Sequence, residues 1–204
     1  MKTNRRVHPA WIAAIVTFFT LVATAGFRSA PAVLILPLQD AFGWNRDEIS
    51  LAIAINVLLY GLTAPFAAAL MERFTVRKVV MGALTTVSTG AFLTTQIHAP
   101  WQLIATWGVI VGVGTGSMAL VFAATVANRW FVKRRGLVIG GLTAASATGQ
   151  LIFLPGLTHL SGTYGWKSIG VTIGAAAFLM VPMIYVFLRE KPSDLGLLPY
   201  GAPE

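Results

Sequence analysis

Cysteine is absent from all 204 residues, which excludes a disulfide framework, a thiol nucleophile and any cysteine-based metal site. Charge is scarce too. Only 11% of residues are Asp, Glu, Lys or Arg, against about 25% in a water-soluble domain. With 56% hydrophobic residues and a mean hydropathy of +0.74, too little polar surface exists to cover a soluble globule. The chain reads as an integral membrane protein whose first partner is the lipid bilayer. Acid is scarcer than base: no Asp or Glu falls in the interior of any long apolar run, so a proton-relay carboxylate is missing there. Long connectors are missing as well, which leaves no room for a soluble domain.

What is present is apolar sequence in runs long enough to cross a bilayer, which takes about 20 residues each. Six such runs are expected, over about residues 10–36, 48–70, 79–97, 101–127, 136–158 and 167–188. Residues 191–204 follow as a polar tail. The net charge of +8 would suit a nucleic-acid binder, but the basic residues sit in short connectors between apolar runs, and no nucleic-acid partner is expected. Twelve of the 15 Lys and Arg fall in the N-terminus, the second and fourth connectors and the tail: Lys2, Arg5, Arg6, Arg73, Arg77, Lys78, Arg129, Lys133, Arg134, Arg135, Arg189 and Lys191. The other three connectors hold Arg46 and Lys167. This asymmetry predicts both termini in the cytoplasm of a multi-pass plasma- or inner-membrane protein. A rival reading takes MKTNRR and Ala23-Thr24-Ala25 as a cleavable signal peptide. Hydrophobicity runs on to Leu38, however, and cleavage would leave five spans at odds with the charge pattern.

Arg28 is the remaining charge, alone in the stretch from Trp11 to Leu38. A cation there costs at least a few kcal/mol if it faces lipid. Snorkelling would have to reach over several ångströms of hydrocarbon, whereas a water-filled cavity would leave a fixed cation able to hold a carboxylate through two parallel hydrogen bonds. Asn56 and Gln150 are expected at a depth similar to that of Arg28, in the outer half of the membrane. Tyr60 follows Asn56 at i+4 on the same helix face. Interhelical hydrogen bonding accounts for Asn56, Tyr60 and Gln150 as well as substrate binding does. Small residues at four-residue spacing, Gly108-Gly112-Gly116 and Gly136-Gly140, read as close helix packing. Pro31, Pro37, Pro65, Pro155 and Pro182 each remove a backbone donor and tend to kink their helices.

The second connector, AALMERFTVRKVV, resembles the signature Gly-x-Leu-x-Asp-Arg-x-Gly-Arg-Lys of the major facilitator superfamily. Ala68 stands at the first Gly, Leu70 at Leu, Glu72 at Asp and Arg73 at Arg. Thr75 replaces the second Gly, while Arg77 and Lys78 supply the basic end. FGWNRDEIS, WGVIVGVGTGS, WFVKRRGLVIGGLTAASATGQLIFLPGL and YGWK look like the monocarboxylate and oxalate/formate porter branch. The superfamily's usual span-four arginine is missing, a departure that suits this branch. The resemblance implies an all-α membrane fold, six transmembrane helices as two inverted three-helix repeats, half of the family's twelve. It implies a conformational charge network at Glu72, Arg73 and Arg77, with Arg134 and Arg135 as further candidates. It also implies a substrate cavity between two halves, completed by a second six-helix half or a homodimer partner, with residues 191–204 starting the linker between halves.

The expected function is therefore half of a secondary carrier for a small organic anion such as a monocarboxylate. Arg28, Asn56, Tyr60 and Gln150 are the candidate substrate contacts, and no metal or cofactor is expected. Two alternatives stand beside it. The chain would do no transport if it is a truncated or excised half. An intramembrane serine protease would use Ser117 beside Gly116, but His98 and His159, its only membrane-proximal bases, fall at predicted outer ends while Ser117 is mid-span.

Overall fold

The computed structural model describes residues 8–118 and 120–203. Lys2, Arg5 and Arg6, three of the basic residues that set the expected topology, lie outside the described residues, as do Ala119 and Glu204. The described residues fold into helices joined by short turns, and their one strand-like contact is an isolated bridge between Phe131 and Tyr200. Span 1 is α1 (Pro9–Thr24) with α2 (Gly26–Phe42), and span 2 is α3 (Arg46–Arg73). Span 3 is α4 (Val76–Thr94). Span 4 runs from α5 (Pro100–Leu103) through a π-helical segment (Ile104–Val111) and α6 (Gly112–Gly116) to α7 (Leu120–Trp130). Spans 5 and 6 are α8 (Arg135–Tyr164) and α9 (Lys167–Phe187).

Five of these, spans 1, 2, 4, 5 and 6, are long and apolar enough to cross a membrane. Span 3 falls short of that measure. Its 19 residues include Arg77 and Lys78 in the first turn and carry Thr85, Thr86, Ser88 and Thr89, which lower its apolarity. At 1.5 Å per residue it still covers about 28 Å, close to the hydrocarbon thickness. Glycine stops two of the long helices. Gly43 (φ 69°) and Gly165 (φ 79°) take the left-handed region at the ends of spans 1 and 5, where a side chain would be strained. Span 2 restarts at once because the Asn45 amide donates to Glu48 Oε2 at 3.0 Å, satisfying one free group at the helix start.

Glycines set the packing. A Cβ on Gly108, Gly112 or Gly116 would meet the backbone of Ala52, Asn56 or Tyr60, so span 4 lies directly on span 2. Gly149 fits in the same way against Val22 and Ala25, bringing span 5 onto span 1. Span 6 lies along span 3, with Gly170 on Ala91 and Ser88 donating to the Gly174 carbonyl at 2.9 Å. Gly136 and Gly140 have the same spacing but face open space. Spans 1 and 4 are accordingly the most buried, and spans 2 and 5 the least.

Candidate functional site

Span 1 breaks three residues before Arg28. The Ala25 amide donates to both Leu21 and Val22 carbonyls, and helix restarts at Gly26, whose missing side chain leaves room for the Phe153 ring. The Ala23–Ala25 stretch, the rival cleavage site, lies within this span, with Ala25 buried. The restart turns Arg28 into a cavity of about 340 Å³ between spans 1, 2, 4 and 5, walled also by Tyr60, Thr24, Thr143, Ser146 and Gln150. Arg28 is exposed there. Its Nη2 donates to Tyr60 Oη at 2.5 Å, and its guanidinium carbon lies 4.7 Å from the Tyr60 ring centroid. No carboxylate lines the cavity among the described residues. The phenol oxygen accepts from Arg28, so its own proton points elsewhere, and the pair offers that O–H and the remaining guanidinium N–H groups as donors. Such a pair is suited to an anion.

The structure thus brings Arg28, Tyr60 and Gln150 together and places Asn56 apart from them. Asn56 Nδ2 donates to the Trp107 carbonyl at 2.7 Å, tying span 2 to the π-helical part of span 4, and Asn56 is not on the cavity wall. Gln150 is tied to span 1 next to Arg28 because its backbone carbonyl accepts from Ser29 Oγ at 3.4 Å. Thr24, Thr143 and Ser146 were not singled out from the sequence. Their signal is the spacing 143, 146, 150, which puts three polar residues on one face of α8.

A second cluster sits at the basic end of the bundle. Glu190 pairs with Arg129 and accepts from the amides of Val76 (2.9 Å) and Arg77 (3.4 Å) at the start of span 3. Arg129 Nη2 also reaches the Met71 carbonyl at 3.4 Å. Arg77 donates to the Tyr185 carbonyl and lies over its ring, while Arg73 lies over Phe74. Arg135 donates to the Phe131 carbonyl, and Arg134 holds a left-handed φ of 62° where α8 begins. Of the expected network residues only Arg77 touches the cluster. Glu72, Arg73, Arg134 and Arg135 form no ion pair among the described residues. The acid that organises this end, Glu190, comes from the stretch after span 6.

The tail is docked rather than loose. The Tyr200 amide donates to the Trp130 carbonyl at 2.8 Å and its carbonyl accepts from Val132 at 3.0 Å, with its ring against His8, Trp11 and Phe131.

Residues 13–201 match the model of the Major Facilitator Superfamily. The chain belongs to that superfamily. It is a multi-pass membrane protein of a transporter superfamily, not of an enzyme family. Consistently, Ser117 Oγ donates to the Val113 carbonyl at 3.2 Å, while His98 and His159 lie exposed at helix ends. Among superfamily relatives, the "Uncharacterized MFS-type transporter YcxA" of Bacillus subtilis is 27% identical over 195 residues, covering 94% of this chain and 47% of that protein. Human "Monocarboxylate transporter 7" is 30% identical over 161 residues, 77% of this chain and 30% of that one. The solved structure of the proton:xylose symporter XylE bound to 6-bromo-6-deoxy-D-glucose shares the fold at a TM-score of 0.67 and 14% identity, over 92% of this chain and 46% of that one. The chain spans less than half the length of these relatives.

Proposed function

We propose that the chain is one half of a secondary carrier for a small organic anion, with Arg28 as the fixed cation of its binding cavity. The observation that carries this is an exposed guanidinium in a cavity at membrane depth whose hydrogen-bond partner there is a phenol and not a carboxylate. A structural arginine in an apolar span is normally neutralised by an acid. The monocarboxylate transporters among the relatives point to the same substrate class. The basic ends of the spans support a topology with both termini in the cytoplasm and the cavity toward the outer half of the membrane. Alternating access in this fold works between two six-helix halves, so this reading requires a second half, supplied by further chain or by a second copy.

The test is uptake of a radiolabelled monocarboxylate by cells expressing the carrier. Arg28→Gln is expected to abolish uptake and Arg28→Lys to weaken it, since lysine keeps the charge and loses the two-pronged geometry. Full uptake by the Gln variant would sink the assignment. Native mass spectrometry of membrane-extracted protein addresses the partner: a species at twice 21.8 kDa supports a paired copy, and a monomer at 21.8 kDa supports the inactive-half alternative.

A further inference from the structure

Hydroxyls inside these spans are mostly spent on their own helices. Thr20, Thr24, Thr125 and Thr143 each donate to a carbonyl one turn earlier. Ser146 and Gln150 do otherwise. Both side chains line the Arg28 cavity, and neither has a hydrogen-bond partner or counts as a buried orphan among the described residues. Both residues are partly exposed on the cavity wall. Ser29 ties the Gln150 backbone to span 1 next to Arg28. Ser146 lies four residues earlier on α8, about 6 Å toward the basic end, and Thr24 lies four residues before Arg28 on the facing span, at about the same depth.

A carboxylate held by Arg28 would extend its body along this polar strip. An alkyl chain there would leave the Ser146 hydroxyl and Gln150 amide unsatisfied, at a cost of about a factor of ten in affinity per group. Hydroxyl groups would satisfy both. Gln150 and Ser146 stand one helical turn apart on α8, so a ligand that meets both carries hydroxyls spread over about 6 Å of its length. We infer that the carried anion is a polyhydroxylated carboxylate of the sugar-acid class, with Ser146 and Gln150 setting that preference. The inference rests on the reading of Arg28 as the anion-binding cation.

Isothermal titration calorimetry of the full chain, in the assembly extracted from its membrane, tests it with D-gluconate, hexanoate and D-glucose as probes. Gluconate is expected to bind at least about tenfold more tightly than hexanoate, and glucose not at all. In Ser146→Ala and Gln150→Leu the gluconate-to-hexanoate ratio falls toward one, and hexanoate binding by the same variants reports that they fold. Hexanoate binding as tightly as gluconate, or a ratio that survives in the double variant, overturns the sugar-acid preference and leaves the Arg28 reading standing. Gluconate binding retained in Arg28→Gln, or no carboxylate binding at all, overturns both.

Discussion

Glu190, just past the end of span 6, pairs with Arg129 near the end of span 4 while capping the first amides of span 3. One carboxylate therefore meets a guanidinium and the positive end of a helix dipole together. Arg129 carries the link on to Met71 near the end of span 2. The two side chains keep only 23% and 17% of their surface exposed, so screening by water is limited. Removing either partner leaves the other charge half-buried, at a cost of about 2 kcal/mol. Arg129→Ala and Glu190→Ala should each lower the thermal midpoint in detergent, and the double variant should lose clearly less than the sum. Strictly additive losses would show that the pair is not coupled. Glu190→Gln keeps an acceptor for the amides and should lie between wild type and Glu190→Ala.

Asn56 distinguishes a packing role from a binding one. Its amide is donated to Trp107 in the π-helical segment, away from the cavity wall. Asn56→Leu should thus lower stability by about 1 kcal/mol while ligand affinity changes less than in Arg28→Gln. A loss of anion binding in Asn56→Leu without loss of stability would return Asn56 to the substrate contacts.

Apolar runs made the spans legible, and the structure shows the Gly43 stop and the Asn45–Glu48 start between the first two of them. Arg28 was legible because a lone charge in a 28-residue stretch that is otherwise apolar or neutral has few explanations. The direction of Asn56 was not. Its depth follows from counting residues, but its azimuth depends on how closely glycine lets span 4 approach, and Gly112 packs against Asn56 itself. The break at Ala25 lies where Gly149 of span 5 approaches Val22 and Ala25, a contact between segments far apart in the sequence. Glu190 was hidden by distance along the chain: its partner lies 61 residues away, and the acidic position of the recognised motif, Glu72, drew attention instead. Ser146 was hidden by chemistry, since serine in a membrane helix ordinarily satisfies itself on its own backbone.

Gly116 gives the sharpest test of the span 2–span 4 contact that positions Tyr60. A Cβ at Gly116 would stand 2.6 Å from the Tyr60 carbonyl oxygen and 3.0 Å from its Cα, both backbone atoms that cannot swing aside. Gly116→Ala must therefore push the two spans apart, at about 1–3 kcal/mol for such overpacking. Gly140→Ala is the control, because nothing lies within 4 Å of a Cβ there and alanine favours helix by up to about 1 kcal/mol. Thermal unfolding should show the first variant destabilised and the second unchanged or slightly stabilised. The displacement also moves Tyr60 away from Arg28, so Gly116→Ala should weaken anion binding although it touches no ligand. If Gly116→Ala were as stable as Gly140→Ala, spans 2 and 4 could not lie in backbone contact at Tyr60, and the Arg28–Tyr60 hydrogen bond would lose its structural support.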